Sequence, residues 1–431
     1  MHAFDSVKSV RQQTKTSISL RWSRVPAIFL LALAAAAERA SADPALNPID
    51  AALLGGHFSI EARTRAEQVE MTGKKEASAL TTRFMLGFET APVYGLSAML
   101  QLIDVADFAG EYNSGLNGKT AYASIPDPNA FNVNQAKLIY AAPFATNFAV
   151  GRQIIILDNQ RFVGNVDFRQ NMQTFDSVTA VSTPLPGVKL TGSYIWGIKD
   201  ILNQEIRSDT LLLEAAVAPL PQLQGEAFAY LYGNDSAYAV PGAAACFLPG
   251  VQACNSQTYG ARLHGVVPLP DDFALSYQGT LAHQSAYDGG SGLIDATYAQ
   301  GSGKLAWRNF FAGFEYELMG SNANGTYGFQ TPLATKHLFN GWAEVFLTTP
   351  AKGLQSFDYS AGVTFWDSTL LAKYYQFNSD LGNIDYGHEW DFSLTHQFTP
   401  NWLGGIEFAD YRAVGFSVNT KAGWMYLTYR Y

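Results

Sequence analysis

Charged residues and cysteines are both scarce in this 431-residue sequence. Asp, Glu, Lys and Arg together make up 15% of it, against about 25% in ordinary soluble domains. Two cysteines are too few for a disulfide-stapled scaffold. The longest uncharged apolar run, Val25–Ala37, is shorter than the roughly 20 residues that a membrane-spanning helix needs. These shortages argue against a typical cytosolic enzyme, a disulfide-rich domain and a helical membrane protein.

Aromatic residues, in contrast, are abundant and make up 13% of the chain. Disordered chains are poor in aromatic residues, so this composition argues against disorder. The formal net charge is −9, whereas a protein that binds nucleic acid would carry a basic stripe. We therefore expect a folded chain without a nucleic-acid partner.

The N-terminal segment has the layout of an export signal. The apolar stretch Pro26–Ala37 precedes Ala40-Ser41-Ala42, which has the small residues of a signal-peptidase site. The basic residues ahead of this stretch are Lys8, Arg11, Lys15, Arg21 and Arg24. We therefore predict a signal peptide over 1–42 and a mature chain over 43–431.

The mature chain shows a hydrophobic pattern with a period of two. Phe58–Glu67 and Met425–Tyr431 both alternate in this way, which places successive side chains on opposite faces of a strand. Short proline turns separate strand-like runs at 91–93, 142–144, 184–187, 219–221, 268–271 and 399–401. The connections at the other end are long and polar, at 109–133, 158–172, 234–256, 284–294 and 319–353. This asymmetry is typical of an outer-membrane barrel.

The number of strands depends on one segment. Nineteen runs alternate, but bacterial single-chain barrels have an even number of strands. The run 340–349 is best assigned to a single long loop over 321–353. We therefore predict an all-β fold, a transmembrane antiparallel barrel of 18 strands in the outer membrane of a Gram-negative bacterium. The terminal Tyr431 matches the pattern read by the barrel assembly machinery, which we expect as a partner together with outer-membrane lipid.

One segment concentrates arginines near a strand end and in the loop that follows. Arginine forks bind carboxylates, and rings of Arg or Lys select anions in pores. Pairing with the interleaved aspartates could instead pin a loop inside the barrel, or the loop could simply be solvated. The candidate solute-binding residues here are Arg152, Asp158, Asn159, Arg161, Arg169 and Asp176.

Four basic residues lie in the middle of predicted strands. A Lys or Arg that faces lipid costs roughly 2–4 kcal/mol at the bilayer midplane. We therefore expect these side chains to line the lumen and to contact solute. They are Arg63, Arg83, Lys137 and Arg262.

Two stretches, Gly151–Asp176 and Lys336–Gln355, resemble the alginate-export family of outer-membrane porins. The resemblance implies an 18-stranded monomeric barrel, with an electropositive pore for a polyuronate and with loops that gate it. It also marks His337, Asn340 and Trp342 as residues of a loop that either folds over the pore or, through Trp342, anchors at the membrane interface. On this basis we expect passive passage of an anionic polysaccharide or another anionic solute. The alternative is a general or substrate-specific uptake porin for small solutes.

The remaining motifs point to structure rather than catalysis. Cys246 and Cys254 lie in one predicted long loop of an exported chain, so we predict a disulfide between them. The sequence has no nucleophile motif of the G-x-S-x-G type and no paired histidines of a zinc helix. We therefore expect no enzyme activity, no cofactor and no metal site.

Overall fold

The computed structural model describes residues 47–234 and 254–431. The predicted signal peptide and Cys246 lie outside these ranges, so the cleavage site and the disulfide stay predictions. Helix α1 (Pro48–Leu54) begins after Asn47, whose side-chain oxygen accepts hydrogen bonds from the first backbone amides of the helix. In the described ranges, no helix combines the length and the apolar character needed to cross a membrane.

Eighteen strands follow the helix. The first nine are β1 (His57–Met71), β2 (Ala77–Glu89), β3 (Leu96–Glu111), β4 (Ala130–Ala142), β5 (Thr146–Gln153), β6 (Thr174–Leu185), β7 (Val188–Lys199), β8 (Glu205–Leu220) and β9 (Leu223–Tyr232). The second nine are β10 (Ser256–Pro268), β11 (Phe273–Ala286), β12 (Asp295–Trp307), β13 (Phe310–Met319), β14 (Leu354–Phe365), β15 (Ser368–Asn378), β16 (Asp385–Thr399), β17 (Trp402–Ala413) and β18 (Thr420–Arg430).

The strands form one closed antiparallel barrel. Each strand pairs with its neighbours in the chain, and β1 pairs with both β2 and β18. Closure leaves no edge strand whose backbone groups lack partners in the bilayer. The prediction of an 18-stranded barrel is confirmed. The segment 340–349 forms no strand. It belongs to one long connection, 320–353, which contains the 3₁₀ turn Lys336–Leu338.

Alternation along each strand divides the barrel into two faces. On β5 and β6 the outward side chains Phe148, Val150 and Val178 are exposed, as expected of a lipid-facing surface. On β1 the side chains of Arg63 and Arg65 face inward and are buried. The period-two pattern of the sequence therefore predicts correctly which residues face the lumen of β1.

The connections at one end of the barrel are tight turns. Asp271 and Asp272 between β10 and β11, and Trp366 and Asp367 between β14 and β15, all have positive φ angles. This conformation matches the right-handed twist of hairpin strands. We call this end the short-turn end and the opposite one the long-loop end.

The core of the molecule lies inside the barrel, towards the long-loop end. The connections that fold into the lumen include 154–173, here the first inward loop, and 320–353, the second inward loop. Phe162 of the first loop packs against the wall residues Phe228 and Tyr298, with ring centroids 5.0 and 5.2 Å apart, and against Phe329 of the second loop at 6.1 Å. Burial of these aromatic rings stabilises both loops inside the barrel.

Candidate pore constriction

The two inward loops are hydrogen-bonded to each other. Val163 and Leu333 form a parallel bridge, and the amide of Gly164 donates to the Leu333 carbonyl at 2.9 Å. The amide of Thr335 donates to the carbonyl of Gln160 at 3.1 Å. The loops therefore form one unit that narrows the lumen, and any solute must pass beside it.

Arg161 connects both loops to the barrel wall. Its side chain is 2% exposed, and its Nη2 atom donates to Glu317 on β13 and to the Asn340 side chain, both at 2.8 Å. The side-chain oxygen Oδ1 of Asn159 accepts from the backbone amide of Arg161 at 3.1 Å and shapes the turn before it. Burial alone would lower the pKa of Arg161, but the Glu317 carboxylate raises it overall. Arg161 thus carries a fixed, neutralised charge.

Arg169 forms a second connection. Its guanidinium donates to Glu67 on β1 at 3.1 Å and to Glu344 of the second inward loop. Glu344 also lies 3.2 Å from Nδ1 of His337, whose ring stacks on Phe168. Burial would raise the pKa of Glu344, but Arg169 and His337 lower it to about 2. Burial lowers the pKa of His337.

Three of the four predicted strand cations bind the first inward loop. Arg63 donates to the backbone carbonyls of Asp167 and Arg169 at 2.8 and 2.7 Å. Arg83 lies 2.8 Å from the Asp167 carboxylate. Arg262 on β10 pairs with Asp158 of the same loop. These three residues face the lumen as expected. Their contacts hold the first inward loop inside the barrel, which is the alternative role that the sequence analysis left open.

Lys137 also faces the lumen but has no contact with either loop. Its ammonium donates to the Gln135 side chain at 3.0 Å. It lies on β4 beyond the first inward loop, towards the short-turn end. The structure therefore separates Lys137 from the other predicted solute-binding residues.

Arg152 and Asp176 are not in the constriction, and this corrects the sequence-based expectation. They are paired across β5 and β6 in the register that also pairs the outward Val150 with Val178. Arg152 binds Asp176 through two hydrogen bonds of 2.8 Å and Glu205 through one of 2.9 Å. The spacing of Arg152, Arg161 and Arg169 suggested that all three line the pore. Arg152 lies on strand β5, however, and the alternation of side chains along that strand places it on the outward face.

The Asn340–Trp342 segment folds inward and contacts the barrel wall at β16. The backbone amides of Trp342 and Ala343 donate to Asp391 and Glu389 on β16, at 3.1 and 2.7 Å. Trp342 is 9% exposed, so it does not anchor the loop at the outer membrane interface. Gly341 has a φ angle of 86°, and a Cβ atom there would lie 2.5 Å from the Glu389 carboxylate.

Sequence reasoning missed several residues that hold the constriction. Glu344 of the second loop binds Arg169 of the first loop, and Glu389 and Asp391 accept hydrogen bonds from the backbone of the second loop; none of the three was named as a candidate residue. Strand alternation could have assigned Glu389 and Asp391 to the lumen, since they sit two residues apart on β16. No local signal marks Glu344, because its partner Arg169 lies far away in the chain.

A polar cavity of about 400 Å³ lies on the wall formed by β9–β15. Hydroxyl, amide and charged side chains line it, among them Ser276, Gln278, Ser302, Lys304, Glu315 and Ser360. In the described part of the chain, no group of three or more His, Cys, Asp or Glu side chains could hold a metal ion. The two loops and this cavity together offer a narrowed polar passage. The contacts described for the charged groups of the constriction hold the loops in place.

Acidification should loosen the second inward loop. The pKa of Glu344 is about 2, against about 4.3 for a free glutamate. The lowered pKa means that this carboxylate stabilises the seated loop fully above about pH 4.3 and loses that effect as the pH falls towards 2. Single-channel conductance should therefore rise over this range. Glu344→Gln should raise conductance already at pH 7 and flatten the pH response. An unchanged conductance in this variant would contradict the assignment.

Comparisons with known proteins give the fold but no family. No protein-family model matches the chain, and no curated protein does. Solved barrels do match: Acinetobacter baumannii OccAB4, with a TM-score of 0.67, 11% identity and coverage of 87% of this chain and 98% of that one. Pseudomonas aeruginosa OpdK, solved with vanillate, matches with a TM-score of 0.65 and 13% identity over 88% and 99%. Pseudomonas aeruginosa OccK5 (OpdH) gives 0.62 and 14% over 88% and 98%.

These matches overturn the resemblance to alginate-export porins. The similar structures are porins of the Occ/Opd group, and the two stretches that suggested alginate export are the inward loops and their flanking strands. The charges of these stretches pair with the wall and with each other, so the stretches do not identify a solute. The conclusion that the fold supports is a closed, 18-stranded antiparallel β-barrel, similar to those of outer-membrane porins.

Proposed function

We propose that this barrel is a substrate-selective porin through which small solutes carrying a carboxylate diffuse inward. The observation that carries the proposal is the unit formed by the two inward loops, which is hydrogen-bonded to the wall at β1, β13 and β16. A lumen narrowed in this way favours small molecules over a polymer. This replaces the expectation of polysaccharide export.

The similar structures support uptake of small solutes. They are substrate-specific uptake porins, and one of them, OpdK, was solved with vanillate, a small aromatic carboxylate. The polar cavity beyond the constriction offers hydroxyl and amide groups to such a solute. A monomeric state and assembly through the C-terminal strand stay predictions.

Liposome flux tests the proposal with a matched pair of solutes. Vanillate and vanillyl alcohol share the ring, the hydroxyl and the methoxy group, and differ in carrying a carboxylate or a neutral alcohol. We expect purified protein in liposomes to admit vanillate several-fold faster than vanillyl alcohol. An oligouronate should neither enter nor block the channel.

Three results would count against this function. Equal rates for the two solutes would indicate a general porin without carboxylate preference. Block or transport of oligouronate would restore the polysaccharide reading. A failure of both small solutes to enter, in a barrel that electrophoresis shows to be folded, would mean that the loops close the pore.

A further inference from the structure

One cation of the constriction, Lys336, differs from Arg161, Arg169 and Arg262. Lys336 begins the 3₁₀ turn of the second inward loop, and its ammonium donates to the backbone carbonyl of Leu347. No carboxylate in the described ranges forms an ion pair with it, whereas Arg161, Arg169 and Arg262 all have carboxylate partners. A backbone carbonyl leaves its positive charge uncompensated.

Part of this lysine is exposed to solvent. Its side chain is half-buried, and the adjacent apolar residues Leu338 and Leu347 are 46% and 40% exposed. Exposed apolar side chains on a loop otherwise packed inside the barrel indicate that this part of the loop borders open space. Lys336 therefore presents its charge to the passage rather than to the protein core.

The surroundings of Lys336 favour the binding of an anion beside its ammonium group. Its pKa is lowered to about 8, first by burial and second by the positive charge of Arg161. The charge of Arg161 is itself balanced by Glu317 on β13, and the nearest acid of the same loop, Glu344, pairs with Arg169 and His337. A carboxylate placed beside Lys336 would offset the repulsion that no protein group offsets.

We propose that the Lys336 ammonium binds the carboxylate of a passing solute and sets the anion preference of the constriction. The inference rests on the proposed function, since it names the residue that selects the solute class. A single charge-assisted hydrogen bond is directional but short-lived enough to release a solute, which conduction requires. The paired arginines hold the loops that shape the passage, and Lys336 contacts the solute that passes.

The test is the reversal potential of the full-length barrel in planar bilayers under a KCl gradient. Wild type should prefer chloride at pH 7 and lose much of that preference at pH 9, because the ammonium deprotonates as the pH rises through about 8. Lys336→Gln should lose the preference at both pH values. Lys336→Arg should keep it at both, because arginine stays charged.

Lys352→Gln is the matched control. Lys352 belongs to the same loop but is exposed at its end, where its carbonyl accepts from the Leu381 amide. This variant removes the same charge and should behave like wild type. If Lys336→Gln keeps the chloride preference, or if Lys352→Gln loses as much of it, the inference is wrong.

Vanillate flux through the same variants separates this inference from the proposed function. If wild type prefers vanillate over vanillyl alcohol and Lys336→Gln does so equally, only the role of Lys336 fails. If wild type shows no preference, the proposed function fails and the inference falls with it. Heat-modifiable electrophoretic mobility confirms that each variant is a folded barrel before it is scored.

Discussion

Arg161→Ala should open the constriction and raise single-channel conductance several-fold. Arg161 joins the first inward loop to Glu317 on β13 and to Asn340 of the second loop, and it is almost completely buried. Removing one partner of a buried ion pair costs about 3–5 kcal/mol, because the other charge stays buried without compensation. Both loops should therefore leave their seats, and the preference for vanillate over vanillyl alcohol should fall. Planar-bilayer recording and liposome flux measure the two effects.

Arg152→Ala provides the control for this prediction. It also removes an arginine that is paired with a carboxylate, but its contacts with Asp176 and Glu205 lie on the outward face of the barrel. Conductance and selectivity should therefore stay at wild-type values. A variant at Arg152 that opens the pore as much as Arg161→Ala would contradict the orientation of this residue.

Deleting the second inward loop should have the largest effect on conductance. The hydroxyl of Ser321 donates to the carbonyl of Ala351 at 2.8 Å, so the two ends of the loop are adjacent and a glycine pair can join them after removal of 323–350. The barrel should still assemble, because β13 pairs with β14 without help from the loop, from the pair Phe310–Val363 to the pair Met319–Leu354. We expect a wide, weakly selective pore and several-fold higher conductance.

A turn replacement at the short-turn end controls for the engineering itself. Replacing Trp366 and Asp367, the tight turn between β14 and β15, by Asn-Gly keeps the hairpin geometry and leaves both inward loops intact. Conductance should stay unchanged. If the loop deletion gives folded barrels with wild-type conductance, the second inward loop does not limit the passage.

Local sequence patterns were enough to predict the barrel fold. The alternation in β1 and the contrast between short turns and long connections both follow from a wall with lipid on one side and polar space on the other. The number of strands followed from treating 340–349 as part of a long loop. The same alternation correctly turned Arg63, Arg83 and Arg262 into the lumen.

The contents of the lumen were harder to predict. Family resemblance found the segments that form the constriction but gave the wrong solute, because the charged residues of these segments pair with the wall and with each other. The orientation of Arg152 was missed since its neighbours in sequence, Arg161 and Arg169, lie in a loop, where strand alternation does not apply. Lys336 stood unnoticed at the start of a motif whose histidine and tryptophan proved to be packing residues.

The sequence by itself therefore determined the wall: the strand number, the face of most strand residues and the asymmetry of the two ends. Each of these depends on local spacing, which one chain segment carries alone. Only the tertiary structure decided which charges are neutralised and which remain open to a solute. Arg161 meets Glu317 and Arg169 meets Glu344 across more than a hundred residues of chain, and such partners become neighbours only when the barrel closes around its loops.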